Sequence, residues 1–250
     1  MQFGISTDKG LTRSINQDYY GLIKAEGNIP NTFIIADGMG GHNAGEVASK
    51  LSVELALSYI KEHFSTNMNK EEMKSKLEEM MKYVNTKVYN ASWEKKENAG
   101  MGTTLTVVML LNDSMLIAHV GDSRVYLLRN NELEQITNDH SYVGELLRNG
   151  SITKEEARNS SKKNVLTRAI GCYKDVDIDV YSNDVKNNDK ILMCTDGLTN
   201  MVDDDHIKDV LLSKDKPQEI TEYLIAKANE NGGTDNTTII VFDGVNINGR

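Results

Sequence analysis

The sequence predicts an α+β fold in which antiparallel sheets are covered by helices. Three observations carry this. Short runs rich in Val, Thr and Leu, separated by turn residues, fill positions 103–129. Two longer stretches, 44–64 and 70–89, carry apolar residues at helical spacing. Strands and helices come in mixed order, with hairpins rather than regular strand–helix–strand units. A chain of 250 residues with 39% hydrophobic residues can bury a real core. No repeat, low-complexity block or proline-rich linker divides it, so a single domain is the simplest account.

The first 25 residues give a strand, a polar turn and a second strand. Phe33 to Ala36 is a short apolar run leading into Asp37-Gly38, which predicts a buried strand and then a glycine-rich turn through Gly41. A helix follows from Ala44 to Phe64, with Val47, Leu51, Leu55 and Tyr59 four apart on one face. A second helix, Lys70 to Tyr89, carries Met73, Leu77, Met80, Met81, Val84 and Val88 as a core stripe. Thr103–Leu111, Ser114–Val120 and Ser123–Arg129 predict an antiparallel meander. Residues 140–165 are polar and predict a surface excursion with short helical turns. Strands resume at 176–180 and 190–195, helices at 204–212 and 217–229, and a last strand at 237–242.

A formal net charge of −9 excludes a general nucleic-acid binder, which needs basic surface to displace counterions. The acidity is read either as solubility or as acids gathered around cations. Two separated cysteines, Cys172 and Cys194, make neither a disulfide framework nor a zinc site and suit a reducing, cytoplasmic compartment. The N-terminus lacks the pattern of a signal peptide, and no run of about 18 apolar residues spans a membrane.

Three apolar strands run into an aspartate: Asp37, Asp122 and Asp196. A fourth, Asp235, stands just before the last strand. In antiparallel sheets the start of one strand lies beside the end of its neighbour, so all four carboxylates can meet at one edge. Gathered there they repel unless protonated or neutralised by cations. Oxygen-only ligands select hard ions, Mg²⁺ or Mn²⁺. Glycine after Asp37 lets the backbone come close, which makes the Gly38 carbonyl a further candidate ligand. Asp-Gly after a strand is also an ordinary turn, and periodicity alone leaves both readings open. Neither cysteine has an arginine six residues on, as a cysteine phosphatase needs: Ile178 and Asn200 stand there. G-x-x-x-x-G-K-[ST], H-E-x-x-H and G-x-S-x-G are all absent.

An ordered set of motifs runs along the chain: Arg13-Ser14-Ile15-Asn16-Gln17-Asp18, Ala36-Asp37-Gly38-Met39-Gly40-Gly41-His42, Met101-Gly102-Thr103-Thr104, Val120-Gly121-Asp122-Ser123-Arg124, Thr137-Asn138-Asp139-His140-Ser141, Leu166-Thr167-Arg168-Ala169-Ile170-Gly171, Cys194-Thr195-Asp196-Gly197-Leu198 and Gly232-Gly233-Thr234-Asp235-Asn236. In this order it resembles the metal-dependent serine/threonine protein phosphatases of the 2C class, the PPM family, in their compact bacterial form.

The resemblance implies a four-layer α/β/β/α sandwich, two antiparallel sheets flanked by helices. It implies one catalytic domain over residues 1–245 and a short tail at 246–250. Asp37 resembles the ligand that bridges two Mn²⁺ or Mg²⁺ ions, with the Gly38 carbonyl on one of them. Asp196 and Asp235 resemble the other direct ligands, and Asp122 the ligand of a third ion shared with Asp196. Asp18 would hold metal-bound water, with Gln17 beside it where many relatives carry glutamate. Arg13 resembles the arginine that clamps the substrate phosphate. Eukaryotic relatives place a histidine where Met39 stands, which leaves His42 as a proton-donor candidate. Arg124, Asp139 and His140 are expected to hold strands and loops together, and residues 141–165 to form the family's flap beside the active site. The implied reaction is hydrolysis of phosphoserine and phosphothreonine without a phosphoenzyme, because paired cations make hydroxide available near neutral pH.

The partners implied are phosphorylated proteins and a cognate serine/threonine kinase, with a monomeric, cytoplasmic enzyme that touches neither nucleic acid nor membrane. Two alternatives stand beside it: a phosphatase dedicated to one anti-sigma-antagonist protein, which would need an attached sensor that the motif span leaves no room for, and a non-catalytic pseudophosphatase that binds partners. The second would be expected to have lost the aspartates present here.

Overall fold

The computed structural model describes residues 1–39, 44–111 and 113–244. His42 and the tail expected at 246–250 lie outside the described residues. In chain order the elements are β1 (Phe3–Asp8), β2 (Asp18–Ile23), β3 (Thr32–Met39), α1 (Ala44–His63), α2 (Lys70–Glu94), a 3₁₀ turn (Lys96–Asn98), β4 (Gly102–Thr103), β5 (Leu105–Leu110), β6 (Ser114–Val120), β7 (Arg124–Arg129), β8 (Glu132–Gln135), α3 (Tyr142–Arg148), α4 (Lys154–Asn159), β9 (Asp179–Asp184), β10 (Lys190–Cys194), α5 (Asp196–Thr199), α6 (Asp204–Ser213), α7 (Pro217–Glu230) and β11 (Thr237–Asp243).

The strands form two antiparallel sheets. One runs β1-β11-β10-β7-β8; the other runs β2-β3-β5-β6-β9, with β4 paired to β3. Their central strands are buried on both faces, which is why they are unbroken apolar runs rather than alternating ones. The pleat still sorts them. Phe33 and Ile35 of β3 meet Ile191, Met193, Ile240 and Phe242 of the opposite sheet in the middle of the sandwich. Phe33 and Phe242 stack there at 4.1 Å between ring centroids. Ile34 and Ala36 point the other way, into the core beneath α1 and α2. Leu192 and Cys194 of β10, with Ile239 and Val241 of β11, face α6 and α7. The four-layer expectation is therefore met, with one core in each of the three gaps.

Several elements differ from the sequence reading. The predicted meander is split between sheets: β5 and β6 form a hairpin, but after Val120 the chain crosses and β7 pairs with β10 and β8. Gly121 makes the crossing in the left-handed region at φ 116°. The strand through Asp37 does not stop at a turn, but continues to Met39 and pairs with β4. Of the four-apart stripe Tyr59 is buried and Leu51 and Leu55 pack against the core, but Val47 is exposed, and the small residues Ala44, Gly45, Ala48, Ser49, Ser52 and Ala56 are buried beside them. Small side chains bring the helix close enough that a Cβ on Gly21 would lie 2.6 Å from Val53 Cγ1. Helix α2 runs five residues past Tyr89, from an Asn69–Glu72 capping box, and all six predicted stripe residues are buried. The strand expected at 176–180 lies at 179–184. Strand β8 is polar, and the chain marks it only by Asn130-Asn131, both at positive φ, in the tight turn after β7. Among the described residues no helix is long and apolar enough to cross a membrane.

Candidate active site

At one end of the sandwich the core changes from apolar to acidic. Asp18 and Asp37 face each other in register on β2 and β3. Across the gap, Asp196 follows β10 by two residues and opens α5, while Asp235 stands two residues before β11. The two sheets are tied here by hydroxyls. Asp18 Oδ2 accepts from Thr195 Oγ1 at 2.9 Å and from Thr238 Oγ1 at 2.7 Å. Thr238 N–H donates to Thr195 Oγ1, so the pair is locked before it reaches Asp18. The other Asp18 oxygen, Oδ1, is buried without a hydrogen-bond partner. A buried carboxylate oxygen left bare is costly unless a donor or cation serves it.

The backbone around Asp37 is opened for its task. Its N–H donates to Thr104 Oγ1 at 2.8 Å in place of a ladder carbonyl, and its own carbonyl accepts from the Thr104 N–H and the Thr103 hydroxyl. Gly38 lies under the first turn of α1: a Cβ there would sit 2.2 Å from the Gly45 carbonyl oxygen. Glycine is thus the only residue the close approach allows. Gln17 is a backbone hub. Its carbonyl accepts from Gly38 N–H and Ser49 Oγ, its N–H donates to Asn236 Oδ1, and its side-chain amide lies against Gly45.

The charges show how closely the acids gather. Burial pushes Asp18 up to about 7, with Asp196 and Asp235 adding to it against the two threonine bonds. Asp37 is held well above the usual carboxylate range by lost hydration, then by Asp18, Asp196, Asp122 and Asp235. Asp122 is raised well above that range by burial and by Asp196 and Asp139. Asp196 rises to about 6 through burial and Asp235, against hydrogen bonds from Asp37 and from Asn200 Nδ2. Asp37 and Asp196 therefore touch, although one comes from each sheet. The sequence-predicted Asp18, Asp37, Asp122, Asp196 and Asp235 all converge.

Arg13 stands at the rim with its side chain 47% exposed, and its Nη2 is 2.8 Å from Asp235 Oδ2. Asn236, which sequence reasoning passed over, holds that rim: its Nδ2 donates to the Lys9 and Ile15 carbonyls, so the loop bearing Arg13 is tied to Asp235. Thr104, Thr195 and Thr238 were also missed. Only Thr195, next to Asp196, carries a local signal; Thr104 and Thr238 have no aspartate beside them in the chain. A cleft of about 350 Å³ is lined by Asp122 and Asp196 together with Val143, Leu147, Arg158 and Asp203. Residues 141–165 thus border the acidic centre, as expected of the flap.

Do these residues suit divalent cations? The donors are all oxygens, one of them orphaned; Arg124 and Arg13 relieve Asp122 and Asp196 in part, yet both stay raised, and the side chains that act most on Asp37 are all carboxylates. Among the described residues no three His, Cys, Asp or Glu side chains form a ready cage for one ion. The donor set fits Mg²⁺ or Mn²⁺ and no softer metal.

Comparison with known proteins agrees. The family model described as Protein phosphatase 2C matches residues 11–227. The serine/threonine phosphatase stp of Listeria monocytogenes serotype 4b is 41% identical over 237 residues, 95% of this chain and 93% of its own. Protein phosphatase PhpP of Streptococcus pneumoniae is 36% identical over 241 residues, 96% of both chains. Among solved structures, serine/threonine phosphatase Stp1 from Staphylococcus aureus superposes with a TM-score of 0.90 at 33% identity, covering 97% of this chain and 94% of that one. The catalytic domain of the serine/threonine protein phosphatase PstP, solved with two manganese ions, gives 0.83 at 33% identity over 98% of both chains. Sequence, fold and an acidic centre built for hard cations agree, and the chain belongs to the protein phosphatase 2C family.

Proposed function

We propose that this protein is a metal-dependent phosphatase that hydrolyses phosphoserine and phosphothreonine in proteins. The observation that carries the reading is the junction at Asp18, which lies opposite Asp37, accepts from Thr195 and Thr238 of the other sheet through Oδ2, and keeps a bare buried Oδ1 beside Asp196. Asp37, Asp196 and Asp235, with the Gly38 carbonyl, would hold two Mn²⁺ or Mg²⁺ ions, and Asp122 with Asp196 a third. Bound there, such ions lower the pKa of water so that hydroxide is available near neutral pH. Asp18 Oδ1 faces that centre as an acceptor with no other duty, and suits orienting a water. The Arg13 guanidinium, at the rim and half exposed, would meet the equatorial phosphate oxygens. No nucleophilic side chain is needed: the Ser123 hydroxyl is engaged with Thr104, and the Cys194 thiol is buried and raised. The domain would span residues 1–245 and act as a cytoplasmic monomer opposing a serine/threonine kinase. Retention of all five aspartates and Arg13 favours an enzyme over a non-catalytic binding module.

The test is phosphate release from a phosphothreonine peptide, first with Mn²⁺ and then with excess chelator. Turnover should appear with the metal and vanish with the chelator; chelator-resistant turnover would refute the reading. In the same assay Arg13→Ala should raise KM about tenfold or more with a smaller change in kcat, because it removes a charge-assisted phosphate contact made in ground and transition states alike. A fall confined to kcat would remove Arg13 from that role.

A further inference from the structure

Asp122 enters the centre at the point where the chain crosses between sheets, and the residues on either side of it are gripped by one dipeptide. The His140 main-chain N–H donates to the Gly121 carbonyl at 2.7 Å, and His140 Nδ1 accepts the Gly121 N–H at 3.2 Å. Both polar groups of Gly121 are thus taken by one residue. Beyond Asp122, the Arg124 guanidinium donates to both oxygens of Asp139 at 2.7–3.1 Å. Gly121 sits at φ 116°, and a Cβ there would lie 2.5 Å from Thr104 Cβ; the Ser123 hydroxyl, 2.8 Å from Thr104 Oγ1, pins the far side of Asp122, so the polar groups of Gly121 fix the near side.

The same dipeptide is the root of the flap. The Asp139 carbonyl accepts from Arg148 Nη1 of α3 at 2.7 Å. The His140 carbonyl accepts the Thr167 N–H at 2.9 Å, and Tyr142 N–H donates to the Val165 carbonyl at 2.8 Å. Both legs of the 141–165 excursion therefore meet at His140. Its ring is buried, and because Nδ1 accepts, the ring proton lies on Nε2, 3.2 Å from Asp179 Oδ2. Asp179 also accepts from Arg168 Nη1 and Tyr181 OH, both at 2.9 Å. That is far more fixing than a strand connection requires.

We propose that His140 is a positioning residue whose Nδ1 bond to Gly121 aims the Asp122 carboxylate and couples that aim to the base of the flap. The inference rests on the reading of Asp122 as a cation ligand. A shell of this kind, one bond removed from the ligand, fixes ligand direction and tunes affinity.

Two substitutions separate positioning from mere packing. His140→Asn keeps an oxygen where Nδ1 stands and can still accept the Gly121 N–H, but cannot reach Asp179. His140→Gln reaches towards Asp179 and leaves Gly121 unserved. Both remove the ring. With Mn²⁺ alone as titrant in calorimetry, His140→Gln should weaken the Asp122-dependent binding step about tenfold to a hundredfold, and His140→Asn should stay within about threefold of the parent. Asp179→Asn, which leaves the Gly121 bond intact, should bind Mn²⁺ as the parent does and keeps the test decidable if the glutamine variant misfolds. Equal losses in the asparagine and glutamine variants, no loss in His140→Gln, or a loss in Asp179→Asn would overturn the proposal. Asp122→Asn, titrated alongside, isolates the premise: an unchanged isotherm there overturns the assignment of Asp122 itself.

Discussion

Asp37→Asn should lower kcat by about a thousandfold or more, yet raise the melting temperature of the chelator-treated protein. Both effects have one source. The carboxylate lies where burial and four neighbouring aspartates disfavour its charge. Cation charge stabilisation is worth several kcal/mol to the reaction, and each 1.36 kcal/mol is about tenfold in rate, so losing the shared ligand at the middle of the centre costs at least about three decades. The isosteric amide carries no charge for Asp18, Asp122, Asp196 and Asp235 to repel, and it still offers an N–H to Asp196. A gain of about 1 kcal/mol corresponds to about 2 °C or more in a chain of this size. Calorimetric melting in chelator at pH 8 and peptide turnover in Mn²⁺ check the two halves separately. A lower melting temperature would show that the carboxylate is not strained by its neighbours; retained turnover would remove Asp37 from the centre.

This trade of stability for chemistry explains why the site was more legible in the sequence than parts of the fold. Each aspartate follows or precedes an apolar strand, and a charge at such a boundary stands out against Ile34, Ile191 or Ile239 whatever the topology. Antiparallel order brings Asp18 beside Asp37 in one sheet and Asp196 beside Asp235 in the other, and the face-to-face packing of the two sheets joins the pairs. What local pattern does not encode is which sheet a strand joins. Nothing in Ser123–Arg129 distinguishes a third meander strand from the first strand of the facing sheet; the crossing is decided by the left-handed Gly121 and by long-range pairing with β10. In α1 the stripe is right for Leu51, Leu55 and Tyr59 but not for Val47, and its spacing gives no hint of the small residues that let the helix lie close to the sheet at Gly21. Strand β8 has no apolar signal because it lies at a sheet edge. The hydroxyl seam of Thr195 and Thr238 was invisible for a related reason: two ordinary strand threonines acquire a role only when Asp18 arrives from the other sheet.

The second large effect is on the pH dependence of stability. Asp18 titrates at about 7 in the folded chain and Asp196 at about 6, against about 4 when unfolded, while Asp37 and Asp122 are raised well above the ordinary value. Between those limits the folded state holds more protons than the unfolded one, so stability falls as pH rises. Histidine pulls the other way at lower pH. Burial lowers His119 to about 4 and also lowers His140, so between about pH 4 and 6.5 the unfolded chain gains protons that these rings refuse, and stability rises with pH. Between about pH 6.5 and 7.5 the unfolded rings lose the last of their protons, which adds back less than about 1 kcal/mol in all, so the carboxylates set the sign of the slope there and act alone above it. In chelator the protein should therefore lose about 2 kcal/mol or more from pH 6.5 to 8, seen as a fall of roughly 4 °C or more in melting temperature. Mn²⁺ should reverse the sign over the same window, because it binds the deprotonated ligands and its binding energy adds to the folded state. Asp18→Asn should flatten the chelator slope by removing the group that titrates inside the window. A metal-free melting temperature that is flat or rising from pH 6.5 to 8 would mean that the carboxylates are already relieved by something other than cations, and the metal centre would lose its physical rationale.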